Sequence, residues 1–505
     1  MGSVLFITNP ELGQLQVALA VAHSIVQQDA SVEIHLATYK DAIAPGVITA
    51  ASAYATASHS SPTPRPFVLH EISGVPWADA VRSRSTSGKT LILPSLRRRP
   101  TLWSWRQHLR EVGYFFQPWD GPQLVEVYRS VLDIVKSVNP GVTLVDSMNL
   151  PGNVACRHLG VKWCILTPSS LKDWAGGEQP AGRIFWKYPA MGSGLSYPLA
   201  WYQVPINVCL VLLMLYHMIR GEAETNDVAN YFEKHTDGAT IRLDRAPNPF
   251  VRALVGIIPE LDYPLKVIPE TILPCGPIVR PSAPIAQSDP DLARWLSRGP
   301  TIYANLGSHC PMNEKQAYDF AMAIRLLLDK AQTSGQDAPM QKLQVLWKVK
   351  KEGSFATSAP GCAIHAILGD EVRDDLIRIV EWVEAEPMSI LESGHVVLSI
   401  HHGGANSFAE AIVAGVPQVV LTQWVDTFDY ASRVELVGVG RRGNKSLHSG
   451  WESEELGQVL IDMVLGTTAG RFKQKAQEIA KLSARNGGGR TFAAGYLLDL
   501  ISSGK

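Results

Sequence analysis

The residue types best suited to chemistry are concentrated at positions 395–429, which read HVVLSIHHGGANSFAEAIVAGVPQVVLTQWVDTFD. An apolar run ends in the sequence HHGG (401–404), and a helical pattern follows directly. Glycines let a ligand approach the backbone, and a helix N-terminus offers unpaired N–H groups and a positive dipole end. The stretch therefore predicts an anion site that a diphosphate would fit, with Asn406 or Ser407 capping the helix. Taken alone, such a turn is equally typical of a tight structural turn.

The elements that would position this site alternate between strand and helix. Residues 4–8 predict a strand, residues 12–28 a helix and residues 32–38 a second strand, which is the pattern of a parallel βαβ unit. The alternation restarts after the proline-rich stretch 274–300, beginning with a strand at 301–307. The sequence thus predicts an α/β protein with two Rossmann-like, doubly wound domains that face each other across a cleft. Ligands of such sheets bind at the carboxyl ends of the strands.

The composition limits the class of protein. The chain has 505 residues, of which 46% are hydrophobic and 18% charged, so we expect a folded protein of two domains. Its formal net charge of −1 gives no bulk electrostatic reason to bind nucleic acid. Its six cysteines show no metal-ligand spacing and are too few for a disulfide scaffold. Because no basic stretch leads into an apolar helix at the start, we expect a cytoplasmic protein without a signal peptide.

One apolar segment, residues 199–219, is about as long as a membrane span, although Gln203, Pro205 and Asn207 interrupt its first half. We expect a buried helix beside a greasy acceptor pocket; the alternatives are peripheral membrane contact and a true span. The aromatic residues expected to line that pocket are Trp103, Trp105, Phe115, Phe116, Trp119 and Trp174. Residues 51–66 are rich in Ala, Ser and Pro and predict a long loop.

The stretch 395–429 resembles the donor-binding signature of the family 1 UDP-glycosyltransferases, H-x-G-x-N-S-x-x-E followed by G-V-P and an acidic residue. The residues that carry this resemblance are His402, Gly404, Asn406, Ser407, Glu410, Gly415, Val416, Pro417 and Asp426. Residues 8–14, 275–278 and 293–308 also resemble that family. The resemblance implies a GT-B fold, with an acceptor-binding domain at 1–280 and a nucleotide-sugar domain at 281–470. Helices at 471–505 would return to the first domain.

The same resemblance implies roles for individual side chains. His402 would contact the diphosphate, and Ser308, Gly404, Asn406 and Ser407 would complete a phosphate cradle. Glu410 would accept hydrogen bonds from the ribose hydroxyls, and Trp382 would stack on the base. Asp426 and Thr427 would contact the donor sugar. We expect an inverting, metal-independent reaction that needs no cofactor beyond its co-substrate, a UDP-sugar, with UDP-glucose as the first expectation.

Three positions depart from the family pattern. Trp382 lies two residues further from His402 than the signature has it, and Thr427 stands where the family has glutamine. Gln14 stands where the family has its catalytic histidine, and glutamine cannot accept a proton at neutral pH. The carboxylate that orients that histidine is retained as Asp146. Either Asp146 or Glu11 would then act as the base, or the acceptor is acidic enough to need none and Gln14 orients it.

We therefore expect a glycosyltransferase that acts on a lipophilic small molecule such as a terpenoid, polyketide or phenol. The product would be an O-glycoside or a glycosyl ester. The likeness is greatest to fungal family members, which decorate secondary metabolites. We expect a monomer whose partners are a nucleotide sugar and this acceptor, with peripheral membrane contact through residues 199–219 left open. The alternatives are a sterol or lipid glycosyltransferase at a membrane surface and a pseudoenzyme that binds nucleotide sugars without turnover.

Overall fold

The structure is a computed structural model that describes residues 2–57, 64–84, 93–242, 251–333, 342–357 and 359–502. Two parallel sheets organise these residues. The first has seven strands and the second has six. The structure thus confirms the expected pair of doubly wound α/β units.

The first sheet consists of β1 (Ser3–Ile7), β2 (Glu33–Tyr39), β3 (Val68–Ile72), β4 (Val142–Asp146), β5 (Trp163–Thr167), β6 (Ala253–Val255) and β7 (Ile272–Pro274). The second consists of β8 (Thr301–Asn305), β9 (Gln344–Lys348), β10 (Ile377–Val380), β11 (Val396–His401), β12 (Gln418–Val420) and β13 (Gly440–Arg442). The central strands are apolar on both faces because helices cover both sides of a parallel sheet. All five residues of β4, for example, are buried.

The helices up to residue 235 are α1 (Leu12–Gln28), α2 (Ala44–Thr56), α3 (Trp77–Ser83), α4 (Trp105–Phe116), α5 (Gly121–Val138), α6 (Leu150–Leu159), α7 (Leu171–Ala175), α8 (Arg183–Trp186), α9 (Val204–Arg220) and α10 (Ala223–His235). Those beyond are α11 (Ile285–Ser288), α12 (Pro290–Leu296), α13 (Glu314–Thr333), α14 (Ala363–Arg373), α15 (Pro387–Leu391), α16 (Ala405–Ala414), α17 (Thr427–Val437), α18 (Ser453–Val464), α19 (Ala469–Ser483) and α20 (Gly488–Ser502).

The strand order is β3-β2-β1-β4-β5-β6-β7 in the first sheet and β10-β9-β8-β11-β12-β13 in the second. Each sheet therefore reverses its winding direction at one point. In the first sheet the reversal lies between β1 and β4, and in the second between β8 and β11. A crevice forms at such a switch point, outside the carboxyl ends of the strands. Gln14 lies in the first turn of α1, which follows β1, and Asp146 is the last residue of β4; the loops after β8 and β11 carry Ser308 and His402. The topology therefore places these four residues at the two switch points.

The last helix returns to the first sheet, as expected. Ala493, Ala494 and Leu497 of α20 are fully buried in the same core as the apolar residues of α1. The side-chain amide of Gln28, at the end of α1, donates to the carbonyl oxygen of Thr491 at 3.0 Å. The C-terminal end of the chain thus forms one wall of the first α/β unit.

Buried ion pairs join the two α/β units. The ammonium of Lys172, on α7, contacts the Asp429 carboxylate on α17, and both side chains are buried. Nearby, Nε of Arg433 donates to Oδ1 of Asp262 at 2.7 Å, with both side chains fully buried. Charges removed from water are stable only when paired, so these contacts hold the two units in a defined relation.

Three expectations about the first half of the chain are wrong. Residues 51–56 are the end of α2 rather than a loop, because the alanines continue its buried face; part of the remainder, 58–63, lies outside the described residues. The aromatic residues do not form one pocket, since Trp105 and Trp119 are fully buried core residues while Trp103 is 95% exposed. Nor is the apolar segment 199–219 a buried helix, since much of the surface of α9 is exposed.

Within the described part of the chain, one stretch, Val204–His235, is long and apolar enough to cross a membrane by length and composition. Only 17% of its most apolar window is buried. One face of α9 is nevertheless part of the fold. Asn207 on that face is fully buried, accepting from the N–H of Ala190 and donating to the carbonyl oxygens of Phe185 and Tyr188.

Candidate functional site

The end of β11 carries two adjacent histidines with different environments. The N–H of Gly403 donates to Nδ1 of His401 at 3.1 Å, so the His401 proton is on Nε2, which donates to Oε1 of Gln418 at 2.9 Å. His401 is thereby fixed within the fold. Nδ1 of His402 is enclosed and has no hydrogen-bond partner. Burial lowers the pKa of His402 to about 3, so its ring is neutral and acts through hydrogen bonds rather than charge.

Glycines make room around the His402 ring. A Cβ on Gly404 would lie 2.5 Å from Nε2 of His402, and one on Gly307 would lie 3.0 Å from its Cε1. Gly403 has φ +92°, and a Cβ there would lie 2.9 Å from the carbonyl oxygen of Thr427. Larger residues at these positions would displace the ring or the backbone around it. The loops after β8 and β11 therefore form one cradle around His402.

Helix α16 begins at this cradle with its first N–H groups uncapped. Its N-cap is Gly404, and no side chain accepts from the first turn. The expectation that Asn406 or Ser407 caps α16 is wrong, because both residues already lie within its first turn. The uncapped N–H groups and the positive end of the helix dipole face the His402 cradle, which is the arrangement that binds a phosphate group.

Asn406 is used differently from the expected phosphate contact. Its side-chain amide donates to the carbonyl oxygen of Gly13 at 3.0 Å, across the cleft. Ser407 is partly buried beside it in the first turn of α16. Ser308 is exposed at the other edge of the cradle, and its carbonyl oxygen accepts from Nζ of Lys350 at 2.7 Å.

Of the expected ribose and base residues, Glu410 lies within α16 and Trp382 lies just after β10. Burial raises the pKa of Glu410 to about 7, opposed by the positive charge of Arg280. Arg280 also contacts Gln16 and Glu386. Trp382 is more than half exposed, and Nζ of Lys348 lies 4.2 Å from the centre of its ring. A lysine at that distance from a tryptophan face makes a cation–π contact.

Asp426 and Thr427 occupy the start of α17. Burial, and next the nearby Asp173, raise the pKa of Asp426 to about 7. Thr427 is fully buried. Its hydroxyl oxygen accepts from the N–H groups of Gln423 and Trp424 and contacts the carbonyl oxygen of Trp424. These contacts turn the hydroxyl of Thr427 toward the loop backbone, so the structure does not bring it to the cleft surface.

The opposite wall of the cleft holds the candidate base. Gln14 and Asp146 line one small cavity with Thr8, and Oε1 of Gln14 has no hydrogen-bond partner. Asp146 uses both carboxylate oxygens: Oδ1 accepts from the N–H of Met148 at 2.8 Å and Oδ2 from the Thr8 hydroxyl at 3.3 Å. Burial raises the pKa of Asp146 to about 6.

Glu11 is the N-cap residue of α1, three positions before Gln14, and its environment differs from that of Asp146. Its Oε2 is enclosed and has no hydrogen-bond partner. Burial, with a further contribution from the negative charge of Asp146, raises the pKa of Glu11 to about 7. A carboxylate whose pKa lies near neutrality is suited to accept a proton.

The structure adds cationic and imidazole side chains that the sequence analysis did not select. They are Arg280, His309, Lys348 and Lys350. His309 follows Ser308 directly, and burial lowers its pKa to about 4. The two lysines lie at or just after the end of β9, in the segment VLWKVK, so their position at the carboxyl end of a strand was a signal that the sequence offered. Across the described ranges, no group of three or more His, Cys, Asp or Glu side chains is arranged to hold a metal ion.

This chain is similar to known proteins over most of its length. Residues 368–484 match the family described as "Erythromycin biosynthesis protein CIII-like, C-terminal domain". The chain is 32% identical over 447 residues to glycosyltransferase sdnJ of Sordaria araneosa, covering 88% of this chain and 84% of the relative. It is 25% identical over 263 residues to UDP-glycosyltransferase stmC of Aspergillus ustus, covering 50% and 46%. A solved UDP-glucosyltransferase from Polygonum tinctorium superposes on 99% of both chains, with a TM-score of 0.63 and 15% identity.

Proposed function

Because this chain belongs to the family 1 UDP-glycosyltransferases and has their GT-B fold, we propose that it transfers a sugar from a UDP-sugar to a lipophilic small molecule. The observation that carries the proposal is the imidazole of His402, whose Nδ1 has no hydrogen-bond partner and whose Nε2 adjoins Gly404, the N-cap of the uncapped helix α16. An enclosed polar atom without a partner costs stability unless a ligand satisfies it. A diphosphate supplies acceptor oxygens for both the imidazole N–H and the helix N–H groups.

The reaction is a single displacement at the anomeric carbon of the donor sugar. The acceptor oxygen forms the new bond to that carbon as the bond to the diphosphate oxygen breaks, and the electron pair leaves with UDP. His402 and the first N–H groups of α16 stabilise the charge that develops on the diphosphate. The acceptor proton passes to a carboxylate of the opposite wall. One displacement inverts the anomeric configuration, and no metal has a part in this scheme.

Of the two candidate bases, the contacts favour Glu11. Both oxygens of Asp146 already accept hydrogen bonds within the fold, whereas Oε2 of Glu11 accepts none. The negative charge of Asp146 also raises the pKa of Glu11. In this scheme Glu11 accepts the proton, Asp146 tunes its pKa, and the free oxygen of Gln14 orients the acceptor hydroxyl.

The substrates and the remaining residue roles are proposed from the resemblance to the family. Glucose is the proposed sugar and UDP the proposed nucleotide, with Glu410 binding the ribose and Trp382 the base. Asp426 is the proposed sugar-binding residue at the start of α17, and Ser308 with Ser407 would flank the phosphates. The proposed acceptor is a fungal-type secondary metabolite with a hydroxyl or carboxyl group. The exposed apolar surface of α9 keeps a membrane lipid or sterol as the second candidate acceptor.

The proposal is tested first by ligand-dependent thermal stability. UDP, GDP and dTDP are titrated separately, and a ligand at about 100 times its Kd stabilises the protein by roughly 2.7 kcal/mol. We expect stabilisation by UDP that His402→Ala abolishes. His395→Ala is the matched control, because His395 lies just before β11 while His402 lies just after it. Stabilisation by none of the nucleotides would contradict the proposed donor site.

Turnover is then measured as UDP release from UDP-glucose with a panel of phenol, terpenoid and sterol acceptors. Sustained, acceptor-dependent release confirms catalysis and identifies the acceptor class. UDP binding without release for any acceptor would instead favour the alternative of a pseudoenzyme. Release with sterols alone would favour the lipid acceptor.

A further inference from the structure

Helix α9 presents an apolar stripe to solvent. The exposed residues spaced three and four apart along it are Pro205, Ile206, Cys209, Leu212, Leu213, Tyr216 and Ile219, and we refer to them as the α9 stripe. This spacing places them on one side of a helix. No exposed position of the stripe is charged. A continuous exposed apolar surface of this kind marks an interaction site rather than ordinary surface variation.

The opposite side of α9 is fixed to the protein. Leu210 and Val211 are buried there, and the indole N–H of Trp105 donates to the carbonyl oxygen of Leu210 at 3.0 Å. Asn207 is enclosed on the same side with its three hydrogen bonds. Drawing the helix through a bilayer would break these contacts, so α9 can lie on a membrane but cannot cross one in this fold.

Exposed aromatic side chains flank α9, and two of them lie directly before its N-terminal end. Trp201 is 86% exposed, Tyr202 is exposed beside it, and the 95%-exposed Trp103 lies two residues before Trp105. At the other end of the stripe Ile219 is 87% exposed. Side chains this exposed stand out from the surface, which suits insertion into a fluid rather than the closely fitted patch of a protein interface. Tryptophan and tyrosine are the residues that favour the headgroup level of a bilayer.

Among the charged side chains at the C-terminal end of α9, the basic groups are more exposed than their acidic partner. Arg106 pairs with Glu222 at 3.0 Å, and the arginine is 81% exposed while the glutamate is 16% exposed. Arg220, the last residue of α9, is also exposed. The basic groups therefore point outward and the acidic partner inward, which complements anionic lipid headgroups.

We propose that the α9 stripe, with Trp103 and Trp201, inserts into the headgroup and upper acyl region of a lipid bilayer and holds the enzyme at the membrane surface. The helix has 17 residues and is about 25 Å long, so it lies in the plane of the interface over roughly five turns. Attachment is reversible, because only one side of one helix and a few aromatic side chains enter the lipid. The inference stands on this surface and is independent of the donor site.

The test is flotation of the full chain with vesicles of phosphatidylcholine, with and without phosphatidylserine. We expect the protein to float with both and more completely with phosphatidylserine. The double variant Leu212→Glu, Ile219→Glu changes two exposed positions and should bind at least about 10-fold less. Tyr318→Glu is the matched control, since Tyr318 is an exposed aromatic residue on α13. Thermal unfolding midpoints report whether each variant folds.

Two further measurements distinguish a lipid bilayer from a second copy of this chain as the partner of the α9 stripe. Phosphatidylcholine brominated on its acyl chains should quench tryptophan fluorescence, less so in Trp103→Phe, Trp201→Phe. Light scattering without lipid reports the oligomeric state. A dimer that the double glutamate variant dissociates, or failure of the wild-type chain to float with either vesicle, would overturn the proposal. Equal flotation of the wild-type chain and the double variant would overturn it as well.

Discussion

The side-chain amide of Asn406 donates a hydrogen bond to the carbonyl oxygen of Gly13 at 3.0 Å, joining residues 393 positions apart. Asn406 lies in the first turn of α16, beside the His402 cradle, and Gly13 directly precedes Gln14 on the opposite wall. One hydrogen bond thus holds the N-terminal turn of α1, with Glu11 and Gln14, against the helix that would bind the diphosphate. This contact therefore sets the position of the proposed base relative to the proposed diphosphate site.

Asn406→Ala should lower kcat/KM by about 2- to 10-fold, because a net 0.5–1.5 kcal/mol hydrogen bond that positions one wall against the other is lost. Steady-state kinetics with the donor and the acceptor varied separately measure this. Asn226→Ala is the control, as Asn226 is an asparagine on α10 whose amide also donates to a carbonyl oxygen. An unchanged kcat/KM in Asn406→Ala would mean that the contact has no positioning role.

The pH dependence of turnover should report the pair of carboxylates. The base works deprotonated, so kcat/KM should rise with pH through an acid limb between pH 6 and 7, where burial places the pKa of Asp146 (about 6) and of Glu11 (about 7). Glu11→Gln should reduce kcat by about 100-fold or more and remove the limb. Asp146→Asn removes a negative charge next to Glu11 and should move the limb to lower pH.

These variants distinguish the two carboxylates. If Asp146→Asn removed the limb and Glu11→Gln left it in place, the assignment of base and tuning residue would be reversed. If both variants retained full kcat on a neutral alcohol, neither carboxylate would be the base.

Donor affinity should titrate through Glu410. The ionised carboxylate accepts from both ribose hydroxyls, whereas its protonated form can accept only one such bond well. Because burial raises the pKa of Glu410 to about 7, the Kd for UDP-glucose should fall as the pH rises from 6 to 8. Calorimetric titration measures the Kd directly. Glu410→Gln should bind more weakly, and its Kd should not change with pH; an equally steep pH dependence in that variant would assign the titration elsewhere.

Breaking the buried ion pair between the two units should strongly destabilise the protein. Arg433→Met leaves the Asp262 carboxylate buried without its partner and should destabilise the protein by about 3–5 kcal/mol. Arg298→Met is the matched control, because Arg298 pairs with Asp375 at the surface, where an ion pair contributes about 0–1 kcal/mol. Urea unfolding followed by fluorescence compares the two. Equal losses would mean that the buried pair does not join the units as described.

The sequence correctly predicted those elements whose apolar residues recur with a regular period along the chain. Helix α1 has the predicted bounds because its apolar residues recur with the helical period, and the cleft edges followed from strand–helix alternation. Helix α9 is apolar on all sides, so its pattern could not tell which side α4 and the segment before α9 would cover. The partners of Asn406 and Thr427 were equally hidden, since one comes from the other α/β unit and the other from backbone atoms of a turn.

The return of α20 to α1 determines when the first α/β unit can finish folding during synthesis. Ala493, Ala494 and Leu497 complete a core whose other residues lie between Val4 and Ile278. A chain emerging from the ribosome therefore holds the apolar face of α1 uncovered while more than 400 further residues are translated. The first α/β unit therefore reaches its final packing only after the whole second unit has been made, so the two units cannot fold to completion one after the other in chain order.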